Sequence, residues 1–385
     1  MLILGNMAND GYSVAKEMRK MGMDVDLAVN MSDFGMALPE WEDADLEGLD
    51  PYNLPPHEAM SRWKPPSWIK YIDMFNRIPL SKAPLSKILA RVKLLKLVGE
   101  YDAVETHTPF CIYVQFLGVP YCPYDAGIIR YFPYQGGLRP ALFRRAYSKA
   151  KLTIYTNPDT LRIFRSLDYI KEDRLRFVPF AIDPEKYRPL DATSLREEYV
   201  QDSDGMLLFS PSRQMWAEKG NDRMIVAFSR FLKDRPGSKL VLVSWSIDED
   251  RSRGLATTLG IEKSVVWIRP VPKNRLVWYY NAADIVLDQF ILGSWGTSTP
   301  EAMACGKPVL MYFDPVYIAH CFGDIPPILN SSTSEDIYRN LLRLSKDGDL
   351  RRHLGQLSRD WVIRTHHPRL VAQKHYDILK QLALS

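Results

Sequence analysis

The stretch Gly293-Ser-Trp-Gly-Thr-Ser-Thr-Pro-Glu301-Ala-Met-Ala-Cys-Gly-Lys-Pro-Val-Leu310 passes from a glycine-rich turn through a short apolar helix into a strand. Gly293 and Gly296 let backbone come close to a ligand, and Thr297 and Ser298 open the first helical turn. The free N–H groups of such a turn favour an anion. Glu301, one turn further in, is placed to accept hydrogen bonds from vicinal ribose hydroxyls, as carboxylates do in dinucleotide sites. It serves equally as an acid complementing the helix dipole. Gly306-Lys-Pro308 then stops the helix before Val309 starts the strand.

Working outward, the same alternation recurs on both sides. Leu207-Leu-Phe-Ser, Leu240-Val-Leu-Val-Ser, Val265-Val-Trp-Ile, Ile285-Val-Leu-Asp and Val309-Leu-Met-Tyr are strand candidates. Helical periodicity separates them over Asp222–Lys233, Asp250–Leu259, Asn274–Ala283 and Thr297–Cys305. Leu2-Ile-Leu, Val25–Val29, Tyr101–Glu105 and Leu152–Tyr155 repeat the pattern upstream, with a helix over Tyr12–Met21 closed by Gly22. Strand–helix–strand units predict parallel sheets with right-handed crossovers. The expected fold is therefore α/β: two Rossmann-like, doubly wound domains facing a deep interdomain cleft, with ligands at the carboxyl ends of the strands. The spacing assigns residues 1–190 to the first domain, with an irregular insert at about 36–85, and 191–360 to the second. Residues 361–385 form a C-terminal helix expected to pack back toward the first domain.

The insert is polarised. Glu40, Glu42, Asp43, Asp45, Glu47 and Asp50 precede residues 57–98, which hold Arg62, Lys64, Lys70, Arg77, Lys82, Lys87, Arg91, Lys93 and Lys96 against only Glu58 and Asp73. Trp63, Trp68, Tyr71 and Phe75 are interleaved. A solvated loop followed by a helix over Ser86–Val98 accounts for it. So does peripheral contact of residues 57–98 with anionic lipid headgroups. Elsewhere the balance is ordinary: 385 residues with a formal charge of +4 carry no global attraction for nucleic acid. Cys111, Cys122, Cys305 and Cys321 lack metal-ligand spacing and fit reduced thiols in a cytoplasmic chain, with the cytoplasmic face of a membrane as the second location. Met1–Gly5 reads directly as a strand rather than a secretory leader, and no run of 18 apolar residues spans a bilayer.

Pro211-Ser-Arg213-Gln-Met-Trp-Ala-Glu-Lys219-Gly220 follows a strand and precedes a helix. An arginine fork, an ammonium point charge and helix-start N–H groups make a diphosphate site, although two surface cations on a loop look the same in sequence. The spacing G-x-x-x-x-G-K-[ST] is absent, which excludes a Walker-type loop.

Together, Arg213…Lys219-Gly220 and Gly296…Glu301-Ala-Met-Ala-Cys-Gly-Lys-Pro-Val309 resemble the donor-site signature of family 4 retaining glycosyltransferases of the GT-B fold. Val178-Pro-Phe-Ala-Ile-Asp183-Pro-Glu-Lys-Tyr-Arg-Pro189 resembles the segment closing that family's first domain, and Asn281-Ala-Ala-Asp284 resembles its "Y..ADV" helix end. The resemblance implies transfer of a sugar from a nucleotide diphosphate sugar to an acceptor hydroxyl with retention, in polysaccharide or glycolipid assembly. It implies no metal or other cofactor. Arg213 and Lys219 would hold the diphosphate, with Gly220, Gly296, Thr297 and Ser298 around it, and Glu301 the ribose. Gly293 stands where the family carries a second glutamate toward the sugar, so Asp288 and Gln289 are the nearest replacements; Asp288 is equally a strand-end cap. His107 resembles the family's histidine near the donor sugar. Asn9 and Gly11 in the first strand–helix loop, and Asp125 and Arg130, are the acceptor-side candidates. A non-catalytic sugar-nucleotide binder and a nucleotide-sugar epimerase share this layout.

Overall fold

Leu2-Ile-Leu is fully buried because it runs through the middle of a sheet, hydrogen-bonded on both sides. In the computed structural model, which describes residues 1–31, 37–46, 61–72 and 92–384, this strand is β1 (Leu2–Leu4). The chain divides into two compact units, Met1–Ala181 with Pro368–Ser385, and Ile182–His367. The first holds β1, β2 (Asp26–Asn30), β3 (Ile69–Ile72), β4 (Val104–His107), β5 (Tyr121–Asp125), β6 (Thr153–Tyr155) and β7 (Leu175–Phe177). All pairings are parallel, in the order β3-β2-β1-β4-β5-β6-β7. The second unit holds β8 (Leu207–Ser210), β9 (Lys239–Val243), β10 (Val265–Ile268), β11 (Ile285–Leu287), β12 (Val309–Met311) and β13 (Leu329–Asn330). Its order is β10-β9-β8-β11-β12-β13, again all parallel. Two Rossmann-like α/β units are what the strand–helix spacing predicts.

Each order reverses direction once, at β1/β4 in the first sheet and at β8/β11 in the second. At such a reversal the loops leaving two neighbouring strands diverge and leave a crevice at the carboxyl edge. Most of the candidate residues of each unit gather at these two places; Asp125 and Arg130, after β5, do not.

The chain passes from the first unit to the second at Ala181/Ile182, not near 190, and returns at His367/Pro368, not near 360. The reason is local bonding. Arg359 donates to the carbonyls of Tyr187 (2.9 Å) and Pro184 (3.2 Å), and Leu190 N–H donates to Asn281 Oδ1 (2.8 Å). The Pro368–Ala383 helix buries Val371, Ala372, His375, Ile378, Leu379 and Leu382 in the core of the first unit, beside Tyr12, Val14 and Met18 of the Asp10–Lys20 helix.

The insert is more ordered than its composition predicts, as far as it is described. Asp43 accepts from Tyr12 Oη and pairs with Lys16, both at 2.5 Å, so part of the acidic run is anchored. Trp68 stacks on Tyr12 (5.9 Å, 15°) and Trp63 meets it edge-on (5.9 Å, 88°). Ile69–Ile72 adds a sheet-edge strand, and Lys70 pairs with Asp26 at 3.0 Å. These aromatic and basic side chains are therefore used inside the unit. Glu47, Asp50, Glu58, Asp73, Phe75, Arg77, Lys82, Lys87 and Arg91 lie outside the described residues.

One contact in the second unit is tight enough to test. A Cβ added to Gly355 would lie 2.0 Å from the Gly306 carbonyl oxygen, the glycine that ends the Glu301 helix. Gly355→Ala should destabilise the protein by about 2–3 kcal/mol through overpacking, read as a lower denaturant midpoint at unchanged slope.

Candidate functional site

In the second unit, the loops after β8 and β11 are stitched together by backbone and side-chain bonds. Phe290 N–H donates to the Lys219 carbonyl (2.8 Å) and Leu292 N–H to that of Glu218 (3.3 Å). Asp288, at the end of β11, accepts from Ser212 Oγ (2.5 Å) on one carboxylate oxygen and from Thr299 Oγ1 (2.6 Å) on the other. Buried and doubly accepted, it clamps the β8 loop to the helix that bears Glu301. That is the strand-end role, and it occupies both oxygens that a sugar would need.

Gln289 is likewise spent. Its amide nitrogen donates to the carbonyls of Ser294 (2.6 Å), Tyr312 (2.7 Å) and Leu292, and its oxygen accepts from Ile291 N–H (3.1 Å). It is fully buried and dictates the path of residues 290–296. Gly293 carbonyl accepts from Asp314 N–H (2.9 Å), which ties this loop to the end of β12. At Gly296 an added Cβ would meet nothing within 4 Å, so the turn is open on that side.

Arg213 pairs with Glu218 at 2.6 Å and stays about a third exposed (36%). The loop that carries it is pinned by Trp216 N–H to Asp248 (2.8 Å) and by Asn221, which accepts from Met215 N–H (2.9 Å). Lys219 lies in the short Trp216–Lys219 helix, and Gly220 beyond it adopts a left-handed conformation (φ 64°). Glu301 is buried in the Ser298–Ala304 helix, entered from Thr297. One of its oxygens takes the Lys273 ammonium and the other the Tyr280 hydroxyl (2.9 Å). Lys273 also reaches Thr297 Oγ1 at 3.2 Å. Burial, and then the Glu301 carboxylate, push the Tyr280 phenol well above its usual range. Sequence reasoning missed Lys273, Tyr280 and Glu218. Lys273 and Tyr280 occupy one face of the Lys273–Ala282 helix at i, i+7, a spacing that was visible but had no partner to give it meaning.

In the first unit, Asn9, Gly11 and His107 meet at the β1/β4 reversal. Gly5 turns the chain at φ 102°, and a Cβ there would lie 2.7 Å from His107 Cβ. A Cβ on Gly11 would lie 2.7 Å from the Gly5 carbonyl oxygen. Asn6 fastens the loop through Asn9 Oδ1 (2.7 Å) and Tyr12 N–H (2.8 Å). His107 is buried, stacked on Tyr124 (4.1 Å, 14°). Its Nδ1 accepts from Met7 N–H (3.1 Å), which leaves Nε2 protonated and donating to Glu105 Oε1 (3.1 Å). Both ring nitrogens are occupied within the unit, so His107 positions the β1 loop here. Glu105 Oε2 in turn accepts from His375 Nδ1 (2.7 Å) on the C-terminal helix.

Asp125 and Arg130 sit apart, after β5. Asp125 accepts from Gly127 N–H (2.7 Å), Ile129 N–H (3.1 Å) and Tyr147 Oη (2.8 Å), and burial pushes its carboxyl up to about 6. Arg130 forks onto Asp159 (2.9 and 2.7 Å). These bonds build the Gly127–Arg130 turn, a structural use of both residues. Among the described residues no three His, Cys, Asp or Glu side chains are grouped as a metal site.

Comparison with known proteins bears on this geometry. Residues 192–361 match the family described as Glycosyl transferases group 1. A D-inositol 3-phosphate glycosyltransferase of Acidothermus cellulolyticus is 33% identical over 147 residues, covering 36% of this chain and 33% of that protein. The chain thus matches about a third of the length of that relative. An uncharacterised glycosyltransferase of Methanocaldococcus jannaschii is 24% identical over 333 residues, 80% of this chain and 77% of its own. Among solved structures, Anabaena HepE in complex with UDP and glucose matches with a TM-score of 0.75 at 14% identity, over 99% of both chains. Sucrose-phosphate synthase from Thermosynechococcus elongatus matches with 0.72 at 16% identity, over 100% of this chain and 99% of that one. The protein therefore has the GT-B fold, and its residues 192–361 are similar to the glycosyl transferases group 1 family.

Proposed function

We propose that the protein is a glycosyltransferase that moves a sugar from a nucleotide diphosphate sugar to an acceptor hydroxyl with retention. The observation that carries this reading is the carboxyl edge of β8 and β11, where one stitched pair of loops holds Arg213 and Lys219 and leads into the helix of Glu301. Arg213 and Lys219 offset charge on the departing diphosphate, and Glu301 holds the ribose, whose hydroxyl displaces Lys273 or Tyr280 from its carboxylate. The acceptor oxygen bonds to the anomeric carbon as the bond from that carbon to the diphosphate breaks on the same face. The acceptor proton passes to a donor phosphate oxygen. No step is assigned to His107, Asp288 or Gln289, whose polar atoms are engaged elsewhere.

A uridine diphosphate sugar is the first donor to test, because the HepE structure holds UDP and glucose. Polysaccharide or glycolipid assembly is the setting we favour, with inositol phosphate acceptors added to the panel because relatives carry that name. The four free cysteines fit a cytoplasmic location. Acceptor-dependent release of nucleoside diphosphate, with an α-anomeric product from an α-donor by NMR coupling, is the expected result. Sugar isomerised without acceptor would assign an epimerase instead. One observation favours a second reading: Gly293 has no side chain, and the two neighbours able to replace a glutamate are spent. Tight nucleotide binding, lost in Glu301→Ala, with no turnover on any acceptor would make the protein a sugar-nucleotide binder.

A further inference from the structure

Between Ala126 and Pro158 the chain carries Arg130, Arg139, Arg144, Arg145, Lys149 and Lys151 and not one acid. At the chain's own average of 46 acids in 385 residues, a stretch of that length holds about four. The Leu138–Lys149 helix carries most of this charge. Many arginines elsewhere take a carboxylate, as in Arg19–Asp26, Arg196–Asp284, Arg230–Glu335 and Arg253–Glu249. On this helix it does not. Arg144 donates to the Gln135 carbonyl (2.9 Å), Arg145 to the Gln115 amide oxygen (2.7 Å), and Arg139 lies 5.9 Å from the Phe143 ring. No ion pair neutralises Arg139, Arg144, Arg145 or Lys149 among the described residues.

The same surface exposes large apolar side chains. Leu138 is 78% exposed, Tyr134 68% and Phe116 59%. They are not scattered: Arg145 covers the Phe116 ring at 4.6 Å, Arg144 ties the helix to the Tyr134 loop, and Leu138 opens the helix itself. The helix is anchored on its other side by Phe143, Ala146 and Tyr147, so the exposed face is fixed in place.

We propose that the face formed by Phe116, Tyr134, Leu138, Arg139, Arg145 and Lys149 docks on an anionic lipid bilayer. Unpaired cations supply the attraction to headgroups, and apolar tips beside them enter the boundary between headgroup and acyl chain. A nucleic acid or another polyanion would use the cations but gain nothing from an exposed leucine, which is why a bilayer fits better. No described helix is long and apolar enough to cross a membrane, so the contact is peripheral. The surface is distinct from residues 57–98, whose described aromatic side chains pack against the core of their unit, and it does not depend on the catalytic reading.

The test is sedimentation of the full chain with vesicles of phosphatidylcholine alone or with one third phosphatidylglycerol. Binding is expected only to the anionic vesicles, and to weaken as salt rises. Arg139→Gln with Lys149→Gln removes two cations that make no ion pair among the described residues, and should lower partitioning about 25-fold, fivefold per basic residue. Leu138→Asp should lower it further with unchanged thermal unfolding. The control pair Lys233→Gln with Lys346→Gln, in the other unit, should bind as wild type. No binding of the wild type to anionic vesicles, or equal losses in the control pair, overturns the proposal. So does salt-sensitive binding to heparin without any binding to vesicles.

Discussion

Arg213→Ala should lower acceptor-dependent release of nucleoside diphosphate by about 10²–10³-fold, with most of the loss in kcat. Removing one preorganised group aimed at developing charge typically costs that much. The negative charge on the diphosphate grows as the bond to the sugar breaks, so a cation fixed beside it acts more on the transition state than on the bound donor. Arg213 is equipped for this because its loop is pinned on both sides. Ser212 on one side is held by Asp288, and Met215 and Trp216 on the other are held by Asn221 and Asp248. Its guanidinium rests on Glu218 at 2.6 Å, a pair that a diphosphate bound as proposed would displace. Arg213→Lys keeps the charge and loses the fork, so an intermediate loss of about tenfold is expected. Steady-state kinetics with kcat and KM resolved decide it. A raised KM with kcat untouched would reduce Arg213 to uniform donor binding and end its role in charge stabilisation.

What the sequence disclosed and what it withheld divide along a physical line. Strands β8 to β12 were legible because each is a buried apolar run bounded by turn residues, and a doubly wound topology follows from such repeats. β3 was not, since Ile69-Lys-Tyr-Ile sits in a basic, proline-punctuated insert whose composition argues for a loop. It pairs as a strand because Trp63 and Trp68 cover Tyr12 behind it, a contact nothing local announces. At the site, Arg213, Lys219 and Glu301 could be singled out by their place after strands. Whether a side chain there is free could not. Asp288 looked like a sugar ligand and a turn cap in equal measure, and only the distances to Ser212 and Thr299 show both oxygens taken. Lys273 escaped notice because its partner is 28 residues away in sequence. His375, far down the chain from Glu105, escaped for the same reason.

Glu105→Ala should destabilise the protein by about 3–5 kcal/mol, the usual result of removing one partner from a buried ion pair. Glu105 and His375 are both fully buried, and Glu105 also accepts from His107, so the deletion strands two ring N–H groups at once. Among the described residues His375 Nε2 has no hydrogen-bond partner, so the ring is held through Nδ1 alone. The C-terminal helix should loosen first, seen as lost amide protection over 368–383. Burial opposes ionisation of Glu105, but the charge of His375 and bonds from both histidines outweigh it and bring the carboxyl down to about 2. Its contribution is therefore complete above its usual 4.5 and lost as pH falls toward 2. Burial likewise opposes charge on His375, yet Glu105, with Asp10 behind it, raises it above its usual 6.5 despite Lys374. That contribution is complete below 6.5 and lost as pH climbs through the raised value. Asp10, raised above 3.8 by burial and bonded to Tyr124, contributes in the opposite sense to Glu105. The difference in unfolding free energy between wild type and Glu105→Ala, which removes the Asp10 term common to both, should thus be largest between pH 4.5 and 6.5. Glu105→Leu combined with His375→Leu should recover most of the loss, because apolar replacements leave no charge unpaired. A difference that stays flat from pH 3 to pH 9, or a double variant as unstable as the sum of the singles, would show that packing rather than the ion pair holds the helix.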